Sequence, residues 1–268
     1  MSHRPRRLVH DEFGLQDIVD QLGQPPELVE RDFALVSIAA QLVGDYGDAL
    51  CFKGGFVLRH AYGHERFSQD IDATRRNPPK HKFDADAIAA SVRAASMRNV
   101  IEIEPGAPRT DSGRSLDFDR IEFRGPIGKG IVALEVSYRE GVVDPPDLAM
   151  IGEPYYEPFE IPVMAINEIV AEKLRTLCQR QRPTDLSDLA MIFDRQAARL
   201  DDESIIRLAK AKFAAGLVRD GDRLARIEDN VEALASVYTS AVPGLAPDAP
   251  DYATAKATVM ARIRGLVP

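Results

Sequence analysis

The rhythm of apolar and polar positions along the chain predicts its layout. A short amphipathic pattern predicts a helix over 11–23, closed by Gly23 and the Pro25–Pro26 pair. Leu28, Val29, Phe33, Leu35 and Val36 follow at helical spacing and predict a helix from Pro26 to about Val43, with Gly44 and Gly47 as breakers. The densest stretch is ALCFKGGFVLRHAYGHERFSQDIDAT. It predicts an apolar strand over 49–53, a Gly54–Gly55 turn, a helix from Phe56 to about Tyr62, and a strand over about 69–74. Residues 84–97 read as an Ala-rich amphipathic helix, and β-leaning runs follow at 100–104, 117–123 and 130–138. Prolines 145, 146, 154, 158 and 162 predict irregular or edge-strand chain between Asp144 and Pro162.

From about Ala165 the helical period takes over, with helices expected at about 166–180, 185–195, 203–216, 222–240 and 252–265. This switch predicts an α/β domain over residues 1–160 and a helical domain over 161–268.

Composition adds limits. An apolar fraction of 45% and a charged fraction of 28% suit an ordinary globular core. With 34 basic against 42 acidic residues, the formal charge of −8 argues against indiscriminate nucleic-acid binding and leaves room for a local basic groove. Arg4, Arg6, Arg7 and the Arg75–Arg76 pair are its candidates, with a solvated tail or loop as the plainer reading. No apolar run reaches bilayer-spanning length, so no membrane association is expected. The basic start lacks the apolar stretch of a secretory signal. Cys51 and Cys178, far apart and each in an apolar setting, fit neither a disulfide framework nor a zinc site, and a cytoplasmic location is expected.

The chemistry gathers around Asp70 and Asp72. On a strand, alternation puts both on one face and turns Ile71 into the core. Two carboxylates a few Å apart repel by roughly 4 kcal/mol at an effective dielectric near 20, so such a pair calls for a cation or a proton. Mg²⁺ takes oxygen ligands of this kind and leaves positions for phosphate oxygens. Gly54 and Gly55 let the backbone approach a phosphate, with Lys53 and Arg59 as nearby cations. Either motif alone is commonly just a turn or an exposed pair. In this order they point to metal-dependent nucleotidyl transfer. Glu135 is a lone acid in the apolar run 131–137: it either meets a cation as a third metal ligand or marks a strand open on one side.

A second constellation lies downstream. Lys173 sits on or beside the stripe of Ile166, Ile169, Val170, Leu174 and Leu177, where it either snorkels or meets an anion such as a triphosphate. Asp185 opens a helix behind Thr184, a place often filled for the dipole alone, and Asp188 shares its face within reach of Lys173 or Arg180. His60 and His64 stand four apart but read as surface histidines. Tyr155, Tyr156 and Phe159 offer stacking surfaces for a base, with packing between domains as the ordinary reading.

Together these constellations resemble the AbiEii/AbiGii-type nucleotidyltransferase toxin family of bacterial type IV toxin–antitoxin systems. The matching parts are Glu30-Arg31-Asp32, Lys53-Gly54-Gly55 with Leu58-Arg59, and Arg66-Phe67-Ser68-Gln69-Asp70-Ile71-Asp72. Glu135, Glu172-Lys173, Arg180 and Asp185-Leu186-Ser187-Asp188-Leu189 complete them. The matches span residues 30–189, and the Ser-x-Asp-x-Asp block after Gly-Gly is the most specific. Thr184 stands where the family often has arginine, with Arg182 two residues earlier.

The resemblance implies a polymerase-β-like nucleotidyltransferase core with a mixed sheet and a helical second domain that contributes to the active site. It implies Mg²⁺-dependent transfer of a nucleotide from an NTP to RNA, the tRNA 3′ end above all, which blocks translation. A cognate antitoxin is the implied protein partner. Asp70 and Asp72 become metal ligands and catalytic residues, Ser68 lines the nucleotide site, Lys173 contacts triphosphate and Asp185 belongs to the late acidic motif. A small-molecule acceptor such as an aminoglycoside, and a non-catalytic nucleotide-binding module, are the competing expectations.

Overall fold

The computed structural model describes residues 5–76, 84–97, 100–111, 113–138, 141–218, 221–246 and 249–268; Arg4 and part of the approach to the 84–97 helix lie outside them. The chain divides into two compact units. The first comprises Met1–Gly63, Phe67–Val142 and Pro146–Val163; the second comprises His64–Arg66, Val143–Pro145 and Met164–Pro268.

In the first unit, helix α1 (Glu12–Leu22) opens with the Asp11 carboxylate accepting from the Gly14 amide at 2.9 Å and closes on Gly23 at φ 60°. Helix α2 (Pro26–Tyr46) takes Pro26 at its first turn and is buried nearly all round. It runs through Gly44, the expected breaker, and stops at Gly47, whose φ is +53°. Burial of Tyr46 in the last turn helps offset the roughly 1 kcal/mol that a helical glycine costs.

Strand β1 (Leu50–Lys53) leads directly into helix α3 (Gly54–His60), which starts at the glycines rather than after them. Strand β2 (Asp70–Arg75), helix α4 (Ala85–Ala94), and strands β3 (Glu102–Pro105), β4 (Arg109–Asp111), β5 (Ser115–Arg124), β6 (Lys129–Ser137), β7 (Asp147–Ile151) and β8 (Phe159–Val163) complete the unit. The sheet runs β3-β5-β6-β2-β1-β8-β7, with β4 paired to β5. β2–β6 and β1–β8 are parallel and the other pairs antiparallel, so the α/β sheet is mixed. The proline-rich segment supplies two strands. β7 is an edge, while β8 lies inside the order and meets β1 only at Phe52↔Val163. One sheet face carries Ile71, Ala73, Leu116, Phe118, Val132, Leu134 and Val136, all buried, and α2 packs near β6 and β2. The opposite face of the central strands keeps polar residues.

The second unit is helical: α5 (Ile166–Gln179), α6 (Pro183–Arg195), α7 (Asp202–Ala215), α8 (Arg223–Ala233), α9 (Ala235–Ala241) and α10 (Tyr252–Ile263). The single helix expected over 222–240 is broken at Leu234, whose side chain is buried. Helix α5 is the hub, packing on α6, α7 and α8. Cys51 and Cys178 are both free and buried. Among the described residues no helix is long and apolar enough to cross a membrane.

Candidate active site

Register assembles the first constellation. Asp70 and Asp72 alternate with Ile71 and Ala73, both fully buried, so the two carboxylates share the polar face of β2. The parallel β2–β6 ladder pairs Asp72 with Glu135, and the antiparallel β1–β2 ladder pairs it with Lys53. Glu135 in turn pairs with Asp117 on β5, and Asp117 with Arg109 on β4. One row thus crosses five strands, Arg109–Asp117–Glu135–Asp72–Lys53, three acids between two cations. Sequence reading passed over Asp117; its signal was an acid between Leu116 and Phe118, both core residues. It is 8% exposed, with Oδ2 accepting from Ser115 Oγ at 3.1 Å and Oδ1 buried without a hydrogen-bond partner.

The diglycine turn lies against this row. Gly54 holds φ +72°, and a β-carbon there would overlap Asp72 Oδ2. Only glycine lets the chain leave β1 at this point with the carboxylate so close. Ser68 is buried, and its hydroxyl donates to the Asp70 carbonyl at 3.0 Å or to Asp70 Oδ1 at 3.1 Å, which orients that side chain.

Glu135 is exposed, so β6 is open on this side and water solvates the charge. Its position beside Asp72, not a burial penalty, is what recommends it. Among the described residues no three His, Cys, Asp or Glu side chains are gathered closely enough to cage an ion. The donor set of Asp70, Asp72 and Glu135 is nonetheless all oxygen, on one open face beside a turn without side chains, which suits a hard divalent cation shared with phosphate oxygens.

Arg59 is engaged elsewhere in the same unit. Its Nε lies 3.1 and 3.2 Å from the two oxygens of Asp32, and its guanidinium stacks on Phe67 at 3.7 Å. His60 Nε2 and Tyr155 Oη also meet the Asp32 carboxylate, at 3.1 and 3.0 Å. Burial pushes the Asp32 carboxyl up, but His60 and Arg59 outweigh it and hold it below its usual value. Tyr155 and Tyr156 pack inside the first unit, on Phe33 and with Oη on Ser37 Oγ. They are neither open stacking platforms nor, in these contacts, packing between domains. The basic candidates have local partners: Arg6 pairs with Glu157, Arg75 lies over Tyr138 and Arg76 donates to the Asp48 carbonyl.

The second unit holds a separate buried network. Arg66 clamps Asp188 with two bonds, at 2.7 and 3.1 Å. Lys173 Nζ lies 2.7 Å from Asp188 Oδ2 and 3.1 Å from Asp185 Oδ1, and Arg180 Nε donates to Asp185 Oδ2 at 3.1 Å. Lys173, Asp185, Asp188 and Arg66 are all buried. Burial alone would raise the Asp188 carboxyl, yet Arg66 and Lys173 hold it well below the carboxylate range. Burial would likewise lower Lys173, but Asp188 and Asp185 keep it above its ordinary value. Lys173 is therefore a charged ammonium held in place, not a snorkelling side chain.

The histidines correct an expectation. Both were expected at the surface, yet His60 is tied to Asp32 and His64 is 2% exposed with no partner on either ring nitrogen. Apolar spacing around GHER could not reveal that burial, because it comes from distant chain.

A mixed sheet with two aspartates and a glutamate on one open face, against a diglycine turn, is the core of a nucleotidyltransferase. A family model described as nucleotidyl transferase AbiEii toxin, type IV toxin–antitoxin system, matches residues 40–261, and the chain belongs to that family. Solved structures agree on the fold. MenT4, a nucleotidyltransferase toxin from Mycobacterium tuberculosis H37Rv, matches with 22% identity and a TM-score of 0.70, covering 94% of this chain and 89% of that one. JHP933 from Helicobacter pylori matches with 20% identity and a TM-score of 0.58, covering 88% and 91%. No curated protein matches the chain.

Proposed function

We propose that this toxin transfers a nucleotide from an NTP to an RNA acceptor, the 3′ end of tRNA, and so blocks translation in the cytoplasm until its cognate antitoxin neutralises it. The observation that carries this reading is the Asp72↔Glu135 register, with Asp70 on the same open face and Gly54 pressed against Asp72. In the reaction the acceptor hydroxyl attacks the α-phosphorus, the new P–O bond forms, the bond to the β-phosphate oxygen breaks and pyrophosphate leaves.

Asp70, Asp72 and Glu135 would hold Mg²⁺ ions, which when bound neutralise the phosphates. Ser68 fixes the orientation of Asp70, and Gly54 and Gly55 leave the phosphates an approach along the backbone. Lys53, buried beside Asp72 in register, balances the carboxylates and is a phosphate contact. Arg59, anchored by Asp32 and Phe67, fixes α3 behind the turn. In the second unit, Asp185 and Asp188 keep the charge and position of Lys173. Catalysis on this scheme is positioning and charge neutralisation.

The acidic net charge favours a second reading, a cationic small-molecule acceptor such as an aminoglycoside. One experiment separates them: labelled NTPs, taken singly, are incubated with Mg²⁺ and either total tRNA or aminoglycosides. Sequencing of tRNA 3′ ends then reads the product. Added nucleotides at tRNA ends support the proposal; label on the aminoglycoside alone transfers the protein to the second reading. NTP binding without pyrophosphate release in either arm leaves a non-catalytic module.

A further inference from the structure

The acid row does not end the open face of the sheet. Along β6, Lys129, Ile131, Ala133 and Glu135 alternate with residues that are buried or face Phe123, so Lys129 and Ile131 share Glu135's face. Where β6 runs beside β5, with β3 beyond it, that face sinks into a hollow of about 430 Å³, lined among others by Glu102, Arg120, Glu122, Arg124, Lys129 and Ile131.

Its lining carries three acids, Glu102, Glu104 and Glu122, and three cations, Arg120, Arg124 and Lys129, with Glu102 opposite Arg124 in the β3–β5 register. Arg120 Nε is bonded to Glu122 at 2.7 Å, and Glu104 pairs with Arg93 at 2.8 Å. Arg124 and Lys129 sit directly opposite each other in the β5–β6 register, both exposed, and among the described residues neither is in an ion pair. Like charges facing across a ladder cost stability, and an anion between them reverses the sign. Ile131 adds an apolar contact, 44% exposed, on the side toward Glu135. Six residues of strand separate Lys129 from Glu135, about 20 Å.

We propose that this hollow takes the single-stranded end of the RNA acceptor, with a backbone phosphate held between Arg124 and Lys129 and a base or ribose against Ile131. This rests on the RNA reading above. The glutamates suit the same occupant, because carboxylates accept from the exocyclic amines of bases. A chain of net charge −8 repels nucleic acid overall, so contact must be local, and here two adjacent cations share a strand face with the reacting end. The strand separation means that only an acceptor with a tail reaches both.

The test is binding of a labelled single-stranded RNA of about 12 nucleotides, within the size such grooves take, followed by fluorescence anisotropy across a salt series. The double variant Arg124→Ala/Lys129→Ala is expected to bind this RNA about tenfold more weakly. Its log–log salt slope should be shallower by about 1.4, two contacts at roughly 0.7 each, while a trinucleotide loses less than twofold. Unchanged affinity and slope for the longer RNA overturn the assignment. An equal loss toward NTP alone also overturns it, since the hollow would then take a nucleotide. If the wild type binds RNA through the hollow yet transfers nothing to any RNA, the functional reading falls and the surface assignment stands. Transfer that survives in full with unchanged KM for long acceptors in the variant leaves the function intact and removes the hollow from it.

Discussion

Gly54 and Asp72 meet where β1 turns into α3: the Asp72 carboxylate fills the space that a side chain at position 54 would need, and Gly54 holds φ +72°. Sterics and backbone conformation thus demand the same residue. Gly54→Ala is expected to lower kcat/KM for transfer by at least about 10²-fold, the scale of an Å-sized misplacement. Gly47→Ala, also at positive φ but with open space, is expected to cost about 1–2 kcal/mol of stability, with kcat/KM close to wild type. Urea melts and transfer kinetics on the two variants check the contrast.

Asp70→Ala removes one of the paired carboxylates while leaving the sheet's buried face intact. A loss of about three orders of magnitude in kcat is expected, the scale for a key electrostatic group. Circular dichroism should remain that of the wild type. Full transfer by this folded variant would remove Asp70 from the reaction.

Asp188 is the joint between Arg66 and Lys173, and Asp188→Asn removes one carboxylate charge from both buried cations. The expected cost is about 3–5 kcal/mol, typical of breaking one side of a buried pair, read as a lower urea midpoint at unchanged slope. Because the folded carboxyl is held below its ordinary value, the unfolded chain protonates first. The contribution is therefore present above about pH 4 and lost as pH falls below it.

His64 gives a separate acid window. Burial holds its imidazole down at about 4, against an ordinary 6.5, with Asp188 opposing and Arg195, Arg66 and Lys173 adding to the shift. Between those values the unfolded chain binds a proton that the folded chain does not, so stability falls as pH drops from 6.5 toward 4, by about 3 kcal/mol at most. A melting-temperature profile of His64→Leu should be flatter than wild type over that window. An equally steep profile would assign the sensitivity to another group.

Local pattern carried much of this protein. The αL stop at Gly23, the Pro26 start, the Gly54–Gly55 turn and the Asp70–Ile71–Asp72 alternation are consequences of φ preference and side-chain period, which depend on neighbours a few residues away. The helical period after residue 165 marked α5, α6, α7 and α10 for the same reason, as did the pairing options of Lys173 with Asp188. Where tertiary contact overrode local preference, the pattern misled: α2 continues through Gly44, the long 222–240 pattern breaks at Leu234, His60 is tied to Asp32 and His64 is buried.

Strand order and register were beyond any local signal. That Glu135 lands beside Asp72, that Asp117 extends the row with a partnerless buried oxygen, and that Asp32 captures Arg59 all depend on residues brought together across 18 to 63 positions of chain. Such pairings are chosen by which faces the whole sheet buries, since a one-residue slip would turn every side chain to the wrong side. Composition and period thus settled the elements and the kind of chemistry, while long-range packing alone chose which charges face one another.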